Sequence, residues 1–320
     1  MRGRLAGIFF LMLAGSAGAE ALTVTVEPIG SFQRLSSSNE FGPFTWRGGL
    51  TLVSDAKDFG GFSGLVLGKD CEELIAVSDR GNWLSAKLSY GSERLSGFSD
   101  AEMAPIRDSK GRPPKDKRWG DSEALTQLKD GRLAVGFESR VRFGAFDIAK
   151  KGFEARFSPL PFPRDIDAGP ENGEVESLGQ LADGRLIAIA EQLSDADGNI
   201  RGWAWKGERA TSFSIVPYGD YRVTDLAVDG DSVLTLERRF SIGTLPGMAI
   251  RRFAVADIGS GSPVEPKLLL EAKAPFYIID NMEAMALCAR EGETRLTLMS
   301  DDNFHTSVQS NIILQFAYGR

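Results

Sequence analysis

Histidine is almost missing from this sequence: His305 stands alone in 320 residues. One imidazole cannot build a multi-histidine zinc site, and the HExxH pattern does not occur. A Ser-His-Asp triad would have to recruit His305, and nothing in the sequence sets it beside a serine. Ser63 lies in Gly61-Phe62-Ser63-Gly64-Leu65, which lacks the second glycine of a nucleophile elbow at the required place. No glycine loop ending in lysine offers a cradle for nucleotide phosphates. Positive charge is short as well, 37 Lys and Arg against 44 Asp and Glu, a net −7. That balance argues against nucleic acid as a partner, since phosphate backbones need a concentrated basic surface. Helical periodicity is also scarce beyond the N-terminus.

What is present begins with an export signal. Arg2 and Arg4 form a positive end, Leu5 to Leu13 an apolar stretch, and Ala17-Gly18-Ala19 a small-residue cleavage site. The uncharged run from Leu5 to Ala19 is 15 residues, short for a bilayer span, so a retained anchor is the weaker reading. The expectation is a signal peptide over 1–19, cleaved after Ala19, and one domain over 20–320 in the periplasm or the medium, with no stable membrane span. Cys71 and Cys288 are the only cysteines. An oxidising compartment would permit a disulfide between them, and two buried free thiols are the alternative.

The organising element is a sentence written five times. It reads EVESLGQLADGRLIAIAE from Glu174 to Glu191: an acid opens an apolar strand, Asp183-Gly184 turns it, and a second apolar strand ends in Glu191. Asp-Gly between short hydrophobic runs is a hairpin signal. The other copies are DSEALTQLKDGRLAVGFESR from Asp121, VTDLAVDGDSVLTLERRF from Val223, NMEAMALCAREGETRLTLMSDDNF from Asn281, and GFSGLVLGKDCEELIAVSDRG from Gly61. Their opening positions, Ser63, Glu123, Glu176, Asp225 and Glu283, are spaced by 60, 53, 49 and 58 residues. Periods of this size built from short strands mean propeller blades. The fold class expected is all-β: a single β-propeller with five repeats detected and five or six blades. An N-terminal strand would complete the last blade and remove its open edge.

In a blade the innermost strand and its antiparallel neighbour bring the start of one beside the end of the other. That gathers Glu123, Glu176, Asp225, Glu283, Asp79, Glu138, Glu191, Glu237 and Asp301 around one mouth of the channel. Hard oxygen ligands gathered at one point suit Ca²⁺, or Mg²⁺ in its place. Nearby arginines, Arg80, Arg140, Arg238 and Arg239, suit bidentate grip on a phosphate or carboxylate. The competing reading is that each acid pairs with an arginine and caps its blade. A basic loop, IRDSKGRPPKDKRWG from Ile106 to Gly120, reads either as a cationic flap over the mouth or as a solvated surface loop. Asp195-Ala196-Asp197-Gly198-Asn199 starts like a calcium loop but lacks the closing glutamate, so a hairpin turn is the better reading. Trp203 and Trp205 read as packing residues.

The ordered set FGGFSGL…AVSDRG, DSEAL…FESR, NGEVESL…IAE, TDLAV…LERRF and NMEAMAL…MSDDNF resembles the bacterial "esterase-like activity of phytase" family over nearly the whole mature chain. The resemblance implies a β-propeller whose repeated acids carry phosphoesterase or phosphodiesterase activity. The combined expectation is an exported, metal-dependent hydrolase of a small anionic phosphate ester. Glu123, Glu176, Glu191, Glu283 and Arg80 would be catalytic, Arg140 and Arg238 would bind substrate, and Asp79, Glu138, Asp225, Glu237 and Asp301 would hold the metal. A non-catalytic binding propeller of the cell envelope and a lactonase-type hydrolase are the alternatives.

Overall fold

The Asp-Gly pairs turn their hairpins in a specific way. Gly131 and Gly184 take φ of +88° and +86°, the left-handed region that glycine enters without strain. Each follows a tight turn, and Leu128 and Leu181 close the loops by donating to the carbonyls of Arg132 and Arg185 at 2.8 Å. The Asp130 and Asp183 carboxylates accept the backbone N–H of Arg132 and Arg185 and so fix the turns from within. A computed structural model of the chain describes residues 18–168, 175–240 and 245–319. Residues 1–17 of the expected export signal, and Glu174, lie outside the described residues.

The turns generate five antiparallel sheets, the five blades of a β-propeller. Blade one runs outward from Phe62–Leu67 through Glu73–Ser78 and Asn82–Gly91 to Arg94–Pro105, with Glu20–Ala21 on its edge. Blade two comprises Ser122–Gln127, Leu133–Phe137, Arg142–Phe146 and Ser158–Leu160, and blade three Ser177–Gln180, Leu186–Ser194, Ile200–Lys206 and Arg209–Ile215. Blade four comprises Arg222–Asp229, Ser232–Arg239, Gly247–Ala254 and Lys267–Lys273.

Blade five draws on both ends of the chain. Asn281–Arg290, Glu293–Asp301 and Asn311–Tyr318 are continued by Phe44–Val53, which pairs antiparallel with Asn311–Tyr318, and Thr25–Ile29 lies outside it. The expected N-terminal closure is therefore present, and the blade count is five. The closure is also covalent: Cys71, in a turn of blade one, is bonded to Cys288 on the innermost strand of blade five, with Cα atoms 5.6 Å apart. The free-thiol alternative falls.

Apolar faces fill the gaps between adjacent blades. Trp83 meets Phe146 edge-to-face at 5.3 Å between blades one and two, and Phe143 meets Trp205 at 5.4 Å between blades two and three. Trp203 and Trp205 are fully buried, and their indole N–H groups donate to Asp165 Oδ2 at 2.9 Å and to the Pro161 carbonyl at 2.8 Å. They are packing residues. The Asp195–Asn199 segment is a hairpin turn in which Asp195 accepts the N–H groups of Asp197 and Asn199.

Candidate functional site at the channel mouth

The innermost strands carry a repeated irregularity that aims side chains at the mouth. In blade one Phe62 pairs with Ser78 and Gly64 with Val77, so Ser63 is an extra, unpaired residue. In blade two Ser122 pairs with Phe137 and Ala124 with Gly136, leaving Glu123 unpaired. In blade five Met282 pairs with Ser300 and Ala284 with Met299, leaving Glu283. Blade three places Glu176 likewise, one residue before Ser177 opposite Ile189. Such bulges bend the strand and re-aim a side chain. Across from them stand Asp79, Glu138 and Glu191, just past the ends of the pairing, and Asp301, in the last pair of its ladder opposite Asn281.

Blade four departs from the expectation. There Val223 pairs with Glu237 and Asp225 with Leu236, so the bulged residue is Thr224, and the position matching Asp79, Glu138, Glu191 and Asp301 is Arg238. Asp225 and Glu237 are each one residue out of register and are not part of the mouth. Asp225 is fully buried and accepts the N–H of Leu226 at 2.8 Å and of Met285 at 2.6 Å, tying blade four to blade five. Glu237 is fully buried too, with Oε1 2.6 Å from Arg251 Nε and 2.8 Å from Thr235 Oγ1. Asp225 uses both oxygens on backbone N–H groups and Glu237 one oxygen on Arg251 and Thr235, its Oε2 making no hydrogen bond; their register, one residue off the slots, corrects their assignment as metal ligands at the mouth.

The remaining acids form two joined groups. In the first, carboxylate oxygens of Asp121, Glu123 and Glu138 lie within 4.8 Å of one another. Asp121 accepts hydrogen bonds from the Ser139 hydroxyl and backbone N–H. Lys117, from the basic loop, sets its Nζ 2.9 Å from Asp79 Oδ2 and 3.9 Å from Asp121 Oδ1. This lysine does reach the mouth, as the flap reading expected. In the second group Arg238 stands between acids, its Nε 2.9 Å from Glu283 Oε1 and its Nη2 3.3 Å from Glu191 Oε1. Arg222 Nη1 lies 3.8 Å from Glu191 Oε2 at the rim.

Burial, reinforced by crowding of like charges, shifts the acids towards their protonated forms. Burial raises the Glu123 carboxyl well above its ordinary value, and the neighbouring charges of Asp121 and Glu138 raise it further. Burial also raises Glu176, reinforced by Glu191 and Glu283 and opposed by Arg238. Glu283 is pushed up to about 8, first by burial, against the pull of Arg238, with Asp301 and Glu191 adding to the rise. Asp301 rises to about 7 through burial, against the hydrogen bond from the Asn303 N–H, with Asp79 and Asp302 adding repulsion. The charge of Glu123 adds a smaller rise to Glu176, which links the two groups electrostatically.

Two expected arginines are placed elsewhere. Arg80 lies on the rim with its guanidinium 3.3 Å over the Phe304 ring, Nη1 3.0 Å from the Lys57 carbonyl and 3.6 Å from Asp58 Oδ1. Arg140 is exposed and stacks on Trp119 at 4.4 Å. Conversely, Asp121, Thr224 and Arg222 belong to the site and were not singled out for it by sequence, and Lys117 was read only as one charge of the flap loop. The signal for blade four was available: aligning Leu226 with Leu65, Leu125, Leu178 and Met285 puts Thr224, not Asp225, in the first slot.

The donor set suits a hard divalent cation, being carboxylate oxygen throughout. Asp79 Oδ1 and, nearby on blade five, Asn281 Oδ1 are buried oxygens that make no hydrogen bond. A buried acceptor without a donor is costly, and a cation would satisfy it.

Fold and mouth together define a five-bladed propeller with a carboxylate-lined opening interrupted by one arginine. Residues 57–304 match the family model described as esterase-like activity of phytase, Phytase-like, and the chain belongs to that family. No curated protein matches the chain. Similar solved structures include an endo-arabinase from Bacteroides thetaiotaomicron, 12% identical, covering 82% of this chain and 96% of that one with a TM-score of 0.48. A virginiamycin B lyase from Staphylococcus aureus is 9% identical, covering 92% of this chain and 99% of that one at 0.41. The tail fiber of a Staphylococcus aureus phage is 11% identical at 0.46; the match covers 90% of this chain, which spans 55% of the fiber chain. No activity is carried over from these likenesses.

Proposed function

We propose that the chain is an exported, metal-dependent phosphoesterase that works at the acidic mouth. The observation that supports it most is the asymmetry of the ring: acids on blades one, two, three and five, and on blade four an arginine at the matching position. Five equal capping devices would not need that exception, whereas a site for an anionic ester beside a cation does.

Asp79, Asp121, Glu123 and Glu138 would hold the Ca²⁺ or Mg²⁺. A bound divalent ion supplies a nucleophilic water at neutral pH and neutralises phosphate charge. The chain's own groups do the rest. Arg238, whose charge is held against burial by Glu283, Glu176 and Glu191, can turn to an incoming phosphate oxygen. Glu283, raised to about 8 chiefly by burial, keeps a proton near neutral pH and can give it to a leaving-group oxygen. Burial, and then Glu191, push Glu176 in the same direction. Lys117 is a tethered counter-charge that a divalent ion would displace from Asp79. Export is supported by the N-terminal segment and by a disulfide, which persists in oxidising compartments.

The test is hydrolysis of a panel of phosphate mono- and diesters, with a lactone panel beside it, each with and without chelator. Chelator-sensitive phosphate release is the expected result. Lactone opening alone would reassign the chemistry, and silence on every substrate would make the mouth a binding surface.

A further inference from the structure

A second pocket lies outside the mouth, beneath the Ile106–Gly120 loop where blade one passes to blade two. Its volume is about 290 Å³, and its apolar walls include Trp119, Phe137, Phe157 and Pro114. Its charged lining is four cations, Arg107, Arg112, Lys115 and Arg142, against one acid, Asp108. In a chain of net charge −7 that is a local inversion.

Two of the cations are already satisfied. Arg112 makes a two-pronged pair with Asp108 Oδ2 at 2.9 and 2.7 Å, and Arg107 pairs with Glu154 at 2.6 Å. Arg142 and Lys115 have no carboxylate within ion-pair distance among the described residues. The Arg142 guanidinium lies 3.9 Å over the Phe137 ring and 5.6 Å from Trp119, and its hydrogen bonds go to neutral carbonyls, those of Arg140 and Trp119. Burial, and then the adjacent Arg140, bring its pKa down to about 10 against a smaller opposing pull from Asp121, so it remains a cation at neutral pH without a carboxylate at ion-pair distance.

We propose that this pocket binds a small organic anion with a flat apolar body. Its carboxylate or phosphate would meet Arg142 and Lys115, and its ring would lie against Trp119, Phe137 and Phe157. A pocket of this volume admits a single ring with an oxyanion group, and convergent polar groups on an apolar lining are the usual composition of small-molecule sites. None of the mouth acids lines it, so it stands or falls independently of the phosphoesterase reading.

The chain carries its own reporter. Trp46, Trp83, Trp203 and Trp205 are at most 1% exposed, while Trp119 is 41% exposed. The mature protein, in EDTA to keep metal out of the mouth, would be titrated with phenylphosphonate, benzoate, methylphosphonate and benzyl alcohol while tryptophan emission is followed. Saturable changes are expected with phenylphosphonate or benzoate, the stronger of the two naming the head group. They should be absent in Trp119→Phe and at least tenfold weaker in Arg142→Met. Should Arg142→Met fail to fold, Lys115→Gln, an exposed change, should still weaken binding several-fold. An equal response to benzyl alcohol, an equal response in both charge variants, or no saturable response would overturn the proposal. A methylphosphonate response as strong as phenylphosphonate would overturn the ring subsite.

Discussion

Arg238 of blade four lies 2.9 Å from Glu283 of blade five, and the same guanidinium reaches Glu191 of blade three at 3.3 Å. One cation thus serves acids from two neighbouring blades at the point where the ring of carboxylates is interrupted. Arg238→Met removes that counter-charge. Breaking a buried pair by deleting one partner costs about 3–5 kcal/mol. The loss should be large at pH 8, where Glu283 is ionising, and small at pH 5, where it is protonated. Thermal unfolding of both proteins at the two pH values measures the difference. A pH-independent loss would mean that Arg238 acts through packing alone.

Stability of the metal-free protein should fall as pH rises from about 4.5 to 8. The folded-state values of Glu283, about 8, and Asp301, about 7, stand above ordinary carboxylate values, so the folded chain binds more protons than the unfolded one across that window. Their stabilising contribution is complete below the unfolded values and is lost as pH passes the folded ones. Saturating Ca²⁺ should flatten the slope, because a bound cation favours the ionised acids. Denaturant midpoints at half-unit pH steps, with chelator and with Ca²⁺, read this directly. A rising slope in chelator would contradict the protonation scheme.

Asp225 and Glu123 open the repeats they belong to, yet their variants should part company. Asp225→Asn leaves one oxygen to serve two buried N–H donors, those of Leu226 and Met285, and should cost about 1–3 kcal/mol without changing cation affinity. Glu123→Gln should lower cation affinity with little effect on the metal-free fold. Calorimetric titration with Ca²⁺ separates the two, and a loss of affinity in Asp225→Asn would restore it to the site.

The Cys71–Cys288 bond spans 217 residues of sequence and ties blade one to blade five. Cys288→Ser should lower stability by about 2–5 kcal/mol. The denatured, unreduced parent should show no free thiol. Detection of two thiols would remove the bond from the account.

Much of the architecture was legible because its cause is local. An apolar strand opened by a polar residue, a short turn and a second apolar strand repeat at blade spacing, and the strand NIILQFAY, left unpartnered at the C-terminus, called for a partner from the N-terminus. The mouth was legible where residue type and register agree, at Glu123, Glu176, Glu283, Glu191 and Asp301. In blade four acids one position away from the slots mimic the motif while their side chains face away from the mouth, and only aligning Leu226 with the matching apolar positions of the other repeats exposes the shift. A one-residue shift on a strand sends a side chain to the opposite face, and composition is blind to it. Nor could spacing reveal Lys117, since a loop's reach over the mouth depends on tertiary contacts.

The central claim is that the mouth holds a divalent cation, and thermal unfolding of the parent and Glu123→Gln, each in EDTA and in excess Ca²⁺, tests it most directly. A ligand that binds only the folded state stabilises by mass action, about 2.7 kcal/mol at a hundredfold excess over Kd. Ca²⁺ should raise the Tm of the parent clearly and that of Glu123→Gln much less. A parent whose Tm is the same in EDTA and in Ca²⁺ would contradict that claim.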